Sequence, residues 1–232
     1  MYASATIDSI AGSAPIRKPQ YEQRQLNTPS EDLQQLIKSL GLLKHQEGGY
    51  FNETDRSSLF MESPYYPGHN DGSKTKPLRL GGSEEPDLPN PEDNTKKIAP
   101  LRNTSTLIHY LLTCDAFMGR FHRNNSRIIH ILQKGRGQYV LVYPDGTVKS
   151  FIVGFDVARG EVTQWVVPGG VYKASFLLPL DGEESEKDHL LISEVVVPGF
   201  EYDDHRFMES YDELHALVGD RADSLKWLLE AK

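Results

Sequence analysis

The chain has 232 residues, 38% of them hydrophobic, a formal net charge of −8 and a mean hydropathy of −0.49. This size suits one domain with polar tails or a polar insertion, and the acidic balance argues against a nucleic-acid partner. One cysteine, Cys114, excludes an intrachain disulfide. No apolar stretch approaches the ~20 residues of a membrane span, and residues 1–20 lack the apolar run of a secretory signal, so a soluble cytoplasmic protein is expected, with the nucleus left open.

Residues 1–27 are polar and aperiodic and read as a disordered tail. Thr28-Pro29-Ser30-Glu31 has the pattern of a capping box, with Thr28 as the cap. Leu33, Leu36, Ile37 and Leu40 follow at helical spacing up to Gly41, predicting a short one-sided helix. In HQEGGYFNETDRS (45–57), Gly48-Gly49 marks a bend or a close backbone approach, and Tyr50-Phe51 begin a strand. Residues 64–100 hold seven of the 14 prolines and four glycines, and read as a mobile polar insertion.

From Ser105 the composition turns to strand formers. STLIHYLL is followed by candidate strands at 117–121, 128–132, 138–143, 147–153, 162–167, 171–178 and 190–197. Pro144-Asp145-Gly146 and Pro168-Gly169-Gly170 are tight turns, and Gly135-Arg136-Gly137 reads as a hairpin turn. Short strands at this spacing predict an antiparallel sandwich or barrel. Two short amphipathic helices, 211–218 and 224–229, are expected on its outside.

The segments HQEGGYFNETDRS, STLIHYLLT (105–113), GRFHRNNSRIIHILQKGRGQYVLVYPDGTVKSF (119–151), QWVVPGGVYKASFLLP (164–179) and LISEVVVPGFEYDDHRF (191–207) resemble the RmlC-like cupins. Within them the chain is similar to a branch of unknown function typified by an uncharacterised yeast cupin. The resemblance implies an all-β fold, a jelly-roll β-barrel over 28–218 open at one end, with the residues after 218 packed on it as a helix, and a homodimer. In metal-binding cupins, two closely spaced histidines, a glutamate and a later histidine hold the ion. Here those places read His122, Asn124, Arg127 and Lys173. Cationic side chains offer a divalent ion no lone pair, which argues against a metal at that set. A divalent transition metal held by His122 and His130, completed by Glu47, Glu53 or Glu194, stays as an alternative.

The first reading is therefore a metal-free cationic pocket binding a small molecule. Arg127 and Lys173 hold an anion, and His122 carries a proton, with His130 as a second catalytic candidate. Glu47, Tyr50 and Glu194 join Arg127 and Lys173 as substrate-contacting candidates. By fold analogy with the metal-free sugar-nucleotide epimerases of the RmlC group, the expected chemistry is isomerase-like, on an anionic or carbonyl metabolite. A non-catalytic ligand-binding cupin and a metal-dependent oxygenase or isomerase are the alternatives. Each residue also has a structural reading: His130 suits a hydrogen-bonded core position, Arg127 a surface strand start, and Cys114 a structural thiol.

Overall fold

A computed structural model of the chain describes residues 14–65 and 101–230. In chain order the elements are α1 (Glu31–Ser39), β1 (Leu43–Lys44), β2 (Tyr50–Arg56), β3 (Phe60–Glu62), β4 (Leu101–Asn103), β5 (Thr106–Thr113), β6 (Met118–Asn124), β7 (Arg127–Gly135), β8 (Gly137–Val142), β9 (Val148–Val153), β10 (Gln164–Val167), β11 (Tyr172–Leu177), β12 (His189–Val197), β13 (His205–Phe207), α2 (Tyr211–Val218) and α3 (Ala222–Leu225). One sheet has the order β1-β2-β5-β12-β7-β10 and the other β13-β6-β11-β8-β9, with β3 and β4 as a separate ribbon. From β5 to β13 the chain changes sheet at every connection except β8–β9, which gives the jelly roll. Among the described residues, no helix is long and apolar enough to cross a membrane.

Strand parity sorts the side chains. Along β12 the inward residues run Leu190, Ile192, Glu194, Val196, paired across β7 with Gly135, Leu132, His130 and Ile128. The apolar end of this series meets Trp165, Tyr139 and Phe151, whose rings pack at centroid separations of 4.7–5.9 Å. The polar end faces a cavity. The barrel is thus filled at one end and hollow at the other.

Both outer faces are partly covered. On the first sheet, Tyr50, Leu111 and Leu191 pack with Leu36, Ile37 and Leu40 of α1 and its exit. On the second, Phe176 meets Trp227 at 5.1 Å, and Leu214, Leu225 and Leu228 are fully buried. The C-terminal helical segments expected on the barrel's outside lie there.

The structure departs from expectation in four places. Residues 14–27, expected within a disordered tail, lie on the barrel. Tyr21 is 0% exposed and donates to Asp188 Oδ2 at 2.8 Å, and Ala14 N donates to Ser150 O. The helix cap is Ser30 rather than Thr28, and its side chain makes no capping hydrogen bond. Gly135-Arg136-Gly137 is a corner between sheets, since β7 and β8 never pair; Gly135 has φ +91° and a Cβ there would meet His189 O. By contrast, Pro144-Asp145-Gly146 does close the β8–β9 hairpin, with Gly146 at φ +81°. Finally, β6 runs on to Asn124, so His122 lies within a strand instead of just beyond it. The expected insertion falls almost wholly outside the described residues.

Candidate functional site

The cavity has a volume of about 230 Å³. Its walls are apolar, from Phe51, Ile108, Ile128, Val196 and Phe200, and its floor is polar. Three local devices build that floor.

The first is the HQEGG turn. Gly48 and Gly49 take φ +103° and +72°, and a Cβ on Gly49 would sit 2.7 Å from Leu111 O. Only glycine tolerates both demands, and the turn carries Glu47 into the barrel, where its carbonyl accepts from Arg120 N. The second device is a β-bulge. β11 pairs Lys173 with His122 and Ser175 with Gly119, so Arg120 and Phe121 together oppose Ala174. The extra residue lets Gly119 and His122 both face inward. The third is β13, which pairs His205 with Asn124 and so brings His205 beside His122; the two rings stack at 5.3 Å.

Two polar clusters result. In the first, Glu47 Oε1 lies 2.8 Å from His205 Nε2, and Glu47 Oε2 lies 3.2 Å from His122 Nε2 and 3.5 Å from His45 Nδ1. His122 Nδ1 contacts the Arg120 carbonyl at 2.8 Å. A carbonyl only accepts, so Nδ1 carries the hydrogen and Nε2 keeps the lone pair. His45 Nδ1 accepts from Glu47 N and is likewise a lone pair. Burial pushes His122 down to about 3, with Glu47 pulling the other way. Burial also lowers His45. For Glu47 burial acts upward, but the neighbouring His122, the His205 hydrogen bond and His45 outweigh it and hold the carboxyl well below its ordinary range. An ionised Glu47 Oε2 therefore faces the His122 Nε2 lone pair, whereas the lone pair of His45 Nδ1 is taken by Glu47 N. His122, 5% exposed, has no hydrogen-bond partner at Nε2 among the described residues.

In the second cluster, Lys173 Nζ donates to Glu194 Oε2 at 2.7 Å and to His130 Nε2 at 3.0 Å. Lys173 is 3% exposed. Burial raises the Glu194 carboxyl, opposed by Lys173, and burial with the Lys173 charge lowers His130 well below its ordinary value. His130 stacks on Trp165 at 4.9 Å and 10°.

Of the residues read from the sequence, His122, Glu47, Lys173, Glu194 and His130 meet on this floor. Arg127 and Tyr50 do not. Arg127 is exposed and opposes Val197, on the parity of β7 that points away from Ile128 and His130. Tyr50 is the outward neighbour of Phe51 and donates to Asp115 on the α1 side. His122 and His130 do not form one ligand pair, because the His130 Nε2 lone pair is taken by Lys173. Nor is the pocket cationic. Among the described residues its lining holds four carboxylates, Glu47, Glu53, Glu194 and Glu201, against Arg56 and Lys173, a formal −2 with neutral imidazoles. Cys114 is buried, its thiol pushed up to about 11 by burial, consistent with a structural role. His205 and His45 were missed. The signals were His45-x-Glu47, one face of an extended chain, and a histidine in DDHRF.

The four positions at which metal-binding cupins keep their ligands do not fit an ion here. Asn124, Arg127 and Lys173 replace three of them, and Arg127 is turned outward. Glu47, His122 and His205 do fit: their ligand atoms lie within 4.8 Å of one another.

Comparison with known proteins agrees with this fold. The family described as Cupin superfamily (DUF985) matches residues 34–208. An uncharacterized protein of Saccharomyces cerevisiae, YML079W, is 52% identical over 216 residues, covering 93% of this chain and 94% of the relative. A hypothetical protein from Leishmania major superposes with a TM-score of 0.63 at 22% identity, over 84% of this chain and 97% of that one. Protein SO0799 from Shewanella oneidensis gives 0.57 at 22% identity, over 85% and 97%. These two structures are similar in fold.

Proposed function

We infer the function of the chain from one premise: it belongs to the Cupin superfamily (DUF985). The reading supported best is a small-molecule-binding cupin that moves a proton beside a carbonyl, as isomerases and epimerases do. The observation that carries it is Lys173. An ammonium has three hydrogens; Glu194 and His130 take two, and the third is left for a ligand in the cavity that Lys173 lines.

A carbonyl oxygen bound there gains negative charge as a proton leaves the adjacent carbon, and Lys173 stabilises that charge in a site shielded from water. Glu194 stands beside it with a carboxyl made more basic by burial. It takes the carbon-bound proton and returns it to the same carbon or to its neighbour. His122 was expected to carry the proton, but its Nδ1 hydrogen is held by Arg120 O and its Nε2 lies 3.2 Å from Glu47 Oε2, whereas Glu194 lies beside Lys173, so the role passes to Glu194. The formal −2 of the lining favours a carbonyl compound over a free anion.

The test is hydrogen exchange in D2O, followed by proton NMR, over ketoses, sugar nucleotides and 2-keto acids. Wild type should exchange the proton next to the carbonyl of one compound class, and Glu194→Gln should slow that exchange at least ~100-fold while still binding the compound. A compound that raises the melting temperature but shows no exchange would establish a binding protein instead. Exchange at the wild-type rate in Glu194→Gln would remove Glu194 from the step.

A further inference from the structure

We propose that Glu47, His122 and His205 form a binding site for one first-row divalent transition-metal ion. The set is distinct from the positions at which metal-binding cupins keep their ligands; only His122 is common to both. The proposal goes beyond proton transfer and does not rest on it.

Three observations carry it. The first is the buried His122 Nε2, which has no hydrogen-bond partner among the described residues and points at a carboxylate oxygen 3.2 Å away. Two lone pairs at that distance repel unless a cation lies between them. A proton is one such cation; a divalent ion is another, and it can also join His205 Nε2, which lies 2.8 Å from Glu47 Oε1. The second observation is charge. A divalent ion brings the lining from a formal −2 to zero. The third is the donor set. Two imidazole nitrogens and one carboxylate suit zinc and its first-row neighbours, whereas magnesium and calcium prefer all-oxygen sites. The outer contacts are also present: Arg120 O fixes the His122 tautomer, and Phe207 packs edge-on against His205 at 4.6 Å. Three protein ligands leave positions open toward the cavity. The Lys173 cluster competes weakly for the ion, because the lone pair of His130 is already engaged.

The experiment uses the full chain without a histidine tag, stripped with a chelator and then equilibrated separately with Zn²⁺, Co²⁺ and Mg²⁺. Metal per protein is measured by elemental analysis, and the melting temperature is recorded in each buffer. One equivalent of Zn²⁺ or Co²⁺ is expected, with a raised melting temperature, and no equivalent of Mg²⁺. His205→Gln and Glu47→Gln should each weaken Zn²⁺ binding at least ~10-fold, whereas Glu194→Gln should retain it. Melting in chelator verifies that each variant is folded. Because a variant that fails to fold reports nothing, wild type labelled with ¹⁵N at its histidines supplies a second reading. Zn²⁺ should move the Nε2 signals of two stacked imidazoles, His122 and His205, and leave His130 in place. Absence of an equimolar ion, full binding by folded His205→Gln, or loss in Glu194→Gln with a shift at His130 would each overturn the assignment.

Discussion

The two polar clusters on the cavity floor differ in one respect. Lys173, Glu194 and His130 answer one another: an ammonium meets a carboxylate and an imidazole lone pair, and the charges close. Glu47, with His122, His45 and His205, does not close, because His122 Nε2 reaches its Oε2 with a lone pair that has no other partner among the described residues. Side chains in both are at most 11% exposed. Burial alone therefore does not tell the two clusters apart; the count of hydrogens does. The Lys173 cluster has a hydrogen to spare for a ligand, and the Glu47 cluster has a lone pair to spare for a cation.

The largest effect should come from breaking the closed cluster. Lys173→Met leaves Glu194 as an uncompensated buried charge, and about 3–5 kcal/mol of stability should be lost in urea unfolding at neutral pH. Adding Glu194→Leu should recover much of it, since the pair is then replaced by apolar groups of similar volume. No recovery would show that Lys173 supports the fold in another way. A smaller effect comes from pH. His130 has a folded value well below its ordinary 6.5, so below that pH the unfolded chain binds a proton that the folded chain refuses. Stability should therefore fall as pH drops through 6.5, by up to about 1.4 kcal/mol per pH unit for this group. His130→Gln should flatten that limb without abolishing it, because His45 and His189 are lowered in the same direction. An unchanged slope would mean that His130 is protonated in the folded state. The smallest effect belongs to Arg127→Ala. With its side chain outside the barrel, stability should stay within about 0.5 kcal/mol and ligand affinity should not change. A loss of ligand affinity would bring Arg127 back to the cavity.

Much of the barrel was legible because strand alternation is local: each β run betrays two faces, and glycine turns such as Pro144-Asp145-Gly146 punctuate them. The floor was partly legible for the same reason, through His122, Lys173, Glu47, Glu194 and His130. Arg127 and Tyr50 were misplaced by a single step of parity, since Ile128 and Phe51 take the inward positions beside them. His205 was hidden by distance along the chain: it meets Glu47 across 158 residues and belongs to a three-residue strand. The corner at Gly135 looked like a hairpin because a glycine with positive φ serves either purpose. Only the pairing of β7 with β12 and of β8 with β11 tells them apart.

The bulge in β6 amounts to a change of reading frame. Before it, odd-numbered residues such as Gly119 look into the barrel; after it, even-numbered His122 and Asn124 do. The chemistry of the floor is thus encoded by how many residues lie between Gly119 and His122 as much as by which ones they are. Were the ladder with β11 to run on regularly from Gly119 without the bulge, Phe121 would oppose Lys173, and His122 and Asn124 would turn outward. The barrel would survive as a shell, emptied of the imidazole on which its floor depends.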